Sequence, residues 1–213
     1  MLVLTSNTWI EEVPFAHRGL HSKNISENSM KAFKEAEKQG FNIELDVRIT
    51  KDNKLIVVHD KIINKKNVEK INYKDLPKIK NQKIELLETI LKYFQNKKTG
   101  VLIELKATLK SKILCKETEK LLYKYKGNFA IISFDPRLVK YFKNIVPTGM
   151  SFEKRYNKLV FNFSKASFIV LEKSLINKSK IKNIPIIVWT ISSKKDFKIT
   201  YLKATNIIFD KFN

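Results

Sequence analysis

The sequence predicts an α/β fold closed as a (β/α)8 TIM barrel, with a small insertion after the second strand region, and three observations carry that expectation. Apolar runs of strand length alternate with helix-period segments, the pattern of parallel α/β architecture. Counting them gives about eight strands, which suits a closed barrel better than an open doubly wound sheet. No Gly-rich phosphate loop supports a nucleotide-binding sheet.

Residues 13–17 read as a first strand, ended by Arg18 and Gly19. After a polar loop, Ser26 or Asn28 is placed to cap a helix running to about Gln39, with Met30, Phe33 and Ala36 at helical spacing and Gly40 as the stop. Ile43, Leu45, Val47 and Ile49 then alternate with Glu44, Asp46 and Arg48, so one strand carries two carboxylates on the same face. A tight turn at residues 51–54 leads to the apolar run 55–59, suited to a buried strand and closed by His59. Residues 61–84, rich in Lys and Asn, read as a small excursion. Residues 86–94 form a short helix, 101–106 a strand with Glu104 and Lys106 on one face, and 111–125 the clearest helix. Strands at 129–133, 148–151, 168–171, 184–190 and 206–209 complete the count, and 153–165 has no clear type.

The chain has 213 residues, 43% of them hydrophobic, enough to bury one sizeable core, and a single domain spanning 1–213 is expected. There is no apolar run long enough to span a membrane, and the stretch from Met1 to Asn7 lacks the features of a signal peptide, so a soluble, cytoplasmic protein is expected. The lone Cys115 excludes an internal disulfide framework and reads as a small apolar packing residue. The net charge of +21 comes from 42 Lys and Arg against 21 Asp and Glu. These lysines are spread along the chain among Asn and Ile, without a compact basic block interleaved with aromatics. The charge therefore reads as compositional bias that steers an anionic small molecule, with no specific nucleic-acid partner and no stable membrane insertion. Oligomeric state is not expressed in the sequence.

At the carboxyl ends of barrel strands, where such folds collect their chemistry, the sequence puts His17, Glu44, Asp46, His59, Glu104 and Lys106. Three clustered carboxylates repel one another, and a hard divalent cation resolves that cost. Glu44, Asp46 and Glu104 are therefore the expected metal ligands, with Mg²⁺ or Ca²⁺ favoured over Zn²⁺. His17 and His59 suit paired general acid and base roles. Arg18 offers a planar fork to phosphate oxygens and Lys106 a point charge, and the chemistry expected is phosphodiester cleavage. His21 has no partner at a strand end and reads as a loop residue.

The same residues resemble a known family. Ala16-His17-Arg18-Gly19, Glu27-Asn28-Ser29, Ile43-Glu44-Leu45-Asp46 and Val57-Val58-His59-Asp60 are similar to the signature of the glycerophosphodiester phosphodiesterases. Leu102-Ile103-Glu104-Leu105-Lys106, Ser133-Phe134-Asp135-Pro136 and Val188-Trp189-Thr190 extend the likeness. The resemblance implies a (β/α)8 barrel, metal bound by Glu44, Asp46 and Glu104, acid and base roles for His17 and His59, and phosphate held by Arg18 and Lys106. It gives Glu27 and Asn28 a supporting polar role and makes Trp189 either an apolar wall for the glycerol side or a core residue. It also implies that a neighbouring glycerol hydroxyl attacks phosphorus before water completes hydrolysis.

The expected function is a metal-dependent hydrolase of lipid and glycerol metabolism that converts glycerophosphodiesters to glycerol 3-phosphate and an alcohol. Two alternatives stand beside it: a phospholipase-like phosphodiesterase acting on lipid or lysolipid, and an inactive barrel whose basic surface binds nucleic acid or anionic membrane.

Overall fold

Eight parallel strands close on themselves in the computed structural model, which describes residues 9–79, 82–177, 181, 183–200 and 202–210. In chain order they are β1 (Phe15–Ala16), β2 (Asn42–Ile49), β6 (Val101–Leu105), β7 (Phe129–Ser133), β8 (Thr148–Phe152), β9 (Phe168–Glu172), β10 (Ile186–Ile191) and β11 (Asn206–Phe209). Each pairs in parallel with the next, and β1 pairs with both β2 and β11, which closes the ring. The reading of Met1 to Asn7 concerns residues outside the described set.

Nine strand-like runs in the sequence become eight barrel strands because one of them runs the other way. The segment β3 (Leu55–Val57) pairs antiparallel with the end of β2, Val57 opposite Val47 and Leu55 opposite Ile49. It is buried throughout, which explains its continuous apolar run. The excursion that follows holds a short hairpin, β4 (Ile62–Ile63) with β5 (Lys66–Asn67), and two 3₁₀ turns. Its own small core of Ile63, Val68 and Ile84 packs on Ile56 and Val58.

Helices cover the outside of the ring. Helix α2 (Met30–Lys38) buries Ala32, Phe33 and Ala36 and ends where Gly40 adopts φ +79°. Its cap is Ser29, whose hydroxyl accepts from the Ala32 amide, and neither of the two residues expected from sequence. Asn28 cannot serve, because its backbone is left-handed at φ 52° whereas an N-cap is extended, and its side chain is used elsewhere. Helices α3 (Leu87–Phe94), α4 (Ser111–Lys124), α5 (Pro136–Phe142), α6 (Lys158–Ser164) and α7 (Lys194–Thr200) follow the excursion after β3, then β6, β7, β8 and β10 in turn. The unassigned segment 153–165 thus contains a helix, capped by Asn157. Alternate strand residues such as Ile43, Leu45, Val47, Ile103 and Ile131 fill the layer between strands and helices.

The other parity points into the barrel. Phe15, Leu102, Ala130, Ile132, Phe168, Val170, Ile187 and Ile208 form an interior core, closed at the strands' amino ends by α1 (Trp9–Glu12). Two asparagines at strand starts anchor that plug: Asn42 donates to the Val13 carbonyl at 3.1 Å, and Asn206 to those of Ile10 and Val13 at 2.6 and 2.9 Å. Gly100 lacks a side chain where the Trp9 ring passes 2.3 Å from the position of a Cβ. With the lower end sealed, the barrel opens at the carboxyl ends of its strands.

Candidate active site

Inward parity, followed upward from the interior core, ends four of the strands on functional side chains. His17 follows Phe15 on β1, Glu44 and Asp46 follow Asn42 on β2, Glu104 and Lys106 follow Leu102, and Asp210 follows Ile208. A cavity of about 440 Å³ opens there, lined by His17, Arg18, Glu44, His59, Glu104, Lys106 and Trp189 among others. All seven were expected at the site from sequence.

Glu104 is the register partner of Asp46 across β2 and β6, so their carboxylates meet in one layer with Glu44 below. The three offer oxygens within 4.8 Å of one another, and all are buried, at 2%, 1% and 9% exposure for Glu44, Asp46 and Glu104. Burial pushes Glu44 well above the ordinary carboxylate range, helped by the charges of Asp46 and Glu104. Burial and Asp46 likewise raise Glu104. For Asp46, burial is outweighed by Lys106 and Arg18, which hold it below its usual value. The Lys106 ammonium lies 2.7 Å from Asp46 Oδ1 and 2.5 Å from Glu104 Oε1. Burial disfavours its charge, yet Asp46 and Glu104 raise its pKa. A compact set of carboxylate oxygens, under-neutralised by one lysine, fits a hard divalent cation better than a soft one.

Asp46, 1% exposed, lies behind the cavity wall and is held there by its neighbours. Asn28 donates Nδ2 to Asp46 Oδ2 at 2.8 Å and accepts from the Asp46 amide at 3.1 Å. Arg18 donates Nη1 to both oxygens of Glu27, at 2.9 and 3.1 Å, and its Nε sits 3.2 Å from Asp46 Oδ2 without the alignment of a hydrogen bond. The Arg18 amide, in a left-handed turn at φ 54°, donates to Glu44 Oε2 at 3.0 Å. Gly19 allows that turn to press on α2, since a Cβ there would lie 2.7 Å from the Ala32 carbonyl carbon.

Each of the two histidines has a carboxylate on Nδ1: Asp210 Oδ1 at 2.9 Å for His17, and Asp60 Oδ1 at 2.9 Å for His59. That contact assigns the proton of a neutral ring to Nδ1 and leaves the Nε2 lone pair free. His17 and His21 hold Asp210 ionised against the opposing effect of burial, well below the usual Asp range. Arg48, also on the cavity wall, donates Nε to the His59 carbonyl at 2.7 Å and lies 3.7 Å from Glu69. Trp189 packs edge-on to Phe134 with ring centroids 5.7 Å apart, and it precedes a cis peptide to Thr190.

Sequence reasoning missed Asp210, Arg48 and the role of His21. Arg48 was legible as the third polar member of β2, and Asp210 as the next inward position after Ile208. His21 does have a partner, its Nε2 lying 3.3 Å from Asp210 Oδ1. That partner is a strand end far along the chain.

A closed (β/α)8 barrel with two carboxylate-bound imidazoles, a buried carboxylate cluster and cationic side chains at one mouth defines a hydrolase site for a phosphate ester. Residues 17–212 match the glycerophosphoryl diester phosphodiesterase family, and the chain belongs to it. It is 28% identical over 211 residues to YhdW of Bacillus subtilis (strain 168), a glycerophosphodiester phosphodiesterase by name, covering 84% of this chain and 86% of that one. It is 30% identical over 132 residues to the human lysophospholipase D GDPD1, covering 52% of this chain and 40% of that one. Among solved structures, the Oleispira antarctica phosphodiesterase OLEI02445, in complex with the product sn-glycerol-3-phosphate, superposes with a TM-score of 0.82 at 16% identity. That match covers 95% of this chain and 94% of the other. A glycerophosphodiester phosphodiesterase from Parabacteroides distasonis gives 0.79 at 20%, covering 93% and 92%. These likenesses bear out the barrel. No helix among the described residues is long and apolar enough to cross a membrane.

Proposed function

We propose that this chain, as one catalytic domain, hydrolyses glycerophosphodiesters to glycerol 3-phosphate and an alcohol, with a divalent cation at Glu44, Asp46 and Glu104. The observation that carries the reading is that Glu44 and Glu104 of that carboxylate set line one cavity with two carboxylate-bound histidines, Asp46 lying directly behind them. A bound Mg²⁺ or Ca²⁺ would draw negative charge off the phosphoryl oxygens. Arg18 and Lys106 hold the same phosphate from the protein side, Glu27 keeping the Arg18 fork in place. Asn28 fixes Asp46 so that its oxygens need no reorganisation when substrate arrives.

One histidine of the pair takes a proton at Nε2 from the attacking oxygen as its bond to phosphorus forms. The other gives a proton to the alcohol oxygen as its bond to phosphorus breaks. Asp210 and Asp60 orient the two rings. On the far wall, Trp189 gives the glycerol an apolar face, while Trp189 Nε1 and Ser151 Oγ are buried polar atoms with no partner among the described residues. They suit the glycerol hydroxyls. Work in the cytoplasm, in lipid and glycerol turnover, fits a chain with one buried thiol.

The test is glycerol 3-phosphate release from glycerophosphocholine and glycerophosphoethanolamine, with Mg²⁺, Ca²⁺ or chelator. Absence of metal-dependent product from both substrates defeats the proposal. A second reading, with a lysolipid as substrate, is favoured by Ile62 on β4 and Leu109 in the loop that follows β6, 61% and 102% exposed. Adding lysophosphatidylcholine to the panel discriminates the two.

A further inference from the structure

The mouth contains a second cluster of ligating side chains, and its chemistry differs from the first. His17 follows β1, His21 lies four residues further along the same loop, and Asp210 follows β11. One nitrogen of each histidine and one Asp210 oxygen lie within 4.8 Å of one another. All three residues are part-exposed, with side-chain exposures of 17%, 30% and 34%, so the cluster is reachable from solvent.

Both imidazoles direct a nitrogen at the same Asp210 oxygen, His17 Nδ1 at 2.9 Å and His21 Nε2 at 3.3 Å. In a tetrahedral zinc site with bonds of roughly 2.0–2.1 Å, ligand atoms sit about 3.3 Å apart. The His21 contact already has that length, and the His17 contact needs a few tenths of an ångström. Two imidazoles and a carboxylate are the donor set of an open zinc site, with the fourth position left to water or an anion. The all-oxygen cluster of Glu44, Asp46 and Glu104 selects harder ions.

We propose that His17, His21 and Asp210 form a regulatory site for Zn²⁺, separate in ligands from the carboxylate site, and that zinc bound there inhibits hydrolysis. Each imidazole binds the ion as a neutral ring whose one proton moves to the nitrogen turned away from the metal, Nε2 of His17 and Nδ1 of His21, and the Asp210 carboxylate exchanges two N–H donors for one dication. With Nδ1 on the metal the His17 ring carries its proton at Nε2, and that nitrogen has no lone pair left to take a proton from the attacking oxygen. This last step rests on the acid or base role of His17 proposed above; the binding does not.

The experiment uses the full chain in saturating Mg²⁺, so that the carboxylate site is filled, with Zn²⁺ titrated against a competing zinc dye. One equivalent of zinc is expected to bind, with affinity at least tenfold weaker in His21→Ala and in His21→Gln and little changed in Glu104→Gln. Circular dichroism checks that each variant is folded, and the two His21 substitutions guard against the loss of either. No zinc uptake, or equal affinity in the His21 variants, overturns the site. Hydrolysis of glycerophosphocholine is then measured as a fraction of each variant's own zinc-free rate. Zinc is expected to inhibit the wild type at concentrations that leave His21→Ala largely active. His21-dependent binding without inhibition would uphold the site and overturn the role given to His17.

Discussion

Lys106 bridges Asp46 and Glu104, its ammonium within hydrogen-bonding reach of one oxygen on each carboxylate. The two acids are register partners in the β2–β6 ladder, so backbone pairing forces the charges together and the lysine offsets part of the repulsion. Removing one partner of a buried ionic group leaves the others uncompensated, typically at about 3–5 kcal/mol. Lys106→Met should therefore melt well below the wild type in chelator. A divalent cation at the same carboxylates should restore more stability to the variant than it adds to the wild type. Thermal melts of both proteins with chelator, Mg²⁺ or Ca²⁺ read the difference directly. Equal gains in the two would show that the carboxylates do not hold the ion.

His17→Ala and His59→Ala should each lower kcat by roughly 10² to 10⁴, the usual range for a positioned acid or base. Asp210→Asn tests a positioning role, because it keeps the shape of the side chain but removes the charge that holds the His17 ring through Nδ1. Its kcat should fall with little change in KM. Asp210 itself is depressed in the folded chain, so its contribution to stability is present above its unfolded value of about 3.9. That contribution is lost as pH falls through the lower folded value. An unchanged kcat in Asp210→Asn would remove Asp210 from the chemistry.

The parts of this site that were legible in sequence are those written within one element. Glu44 and Asp46 share a face by period-two alternation, and Glu104 and Lys106 repeat the pattern on β6. Pairing partners are not written that way. The run at 55–59 looks like a barrel strand because β3 is buried, yet it turns back antiparallel on β2, a choice made by the tight turn at Asn53, φ 62°. Asp210 meets His17 only because the ring closes, 193 residues apart in sequence. Asn28 looks like a helix cap by type, and tertiary contact with Asp46 overrides that local preference. The plug α1 carries no periodic signal in its four residues, and its place is set by Asn42 and Asn206.

Asp135 links the end of β7 to α5, accepting from the Arg137 amide at 3.0 Å and pairing with the Arg137 guanidinium at 2.6 Å. The Arg137 hydrogen bonds hold its carboxyl below the ordinary value despite opposing burial. Losing an N-cap costs about 0.5–2 kcal/mol, so Asp135→Ala should be less stable by that amount at pH 7 in urea unfolding. A depressed carboxyl stabilises above its unfolded value and loses the effect as pH falls through the folded one. The gap between wild type and variant should accordingly narrow below about pH 4. A gap independent of pH would show that the carboxylate charge contributes nothing.

Cys115 lies on α4, 2% exposed, as part of the main apolar core. Burial, reinforced by the nearby charges of Asp135 and Glu119, pushes its thiol up to about 12. At pH 8 the thiolate fraction is then on the order of 10⁻⁴, and the thiolate is the reactive form. The folded protein should be inert to maleimide or a disulfide reagent for hours and should label with one equivalent once denatured. Prompt labelling of the native chain would mean that α4 lifts from the strands under native conditions, because an apolar wall offers a reagent no other route to the sulfur. Cys115→Ala should keep activity, since no wall of the catalytic cavity includes this residue, and should lose stability through the small void left behind, which chemical unfolding measures.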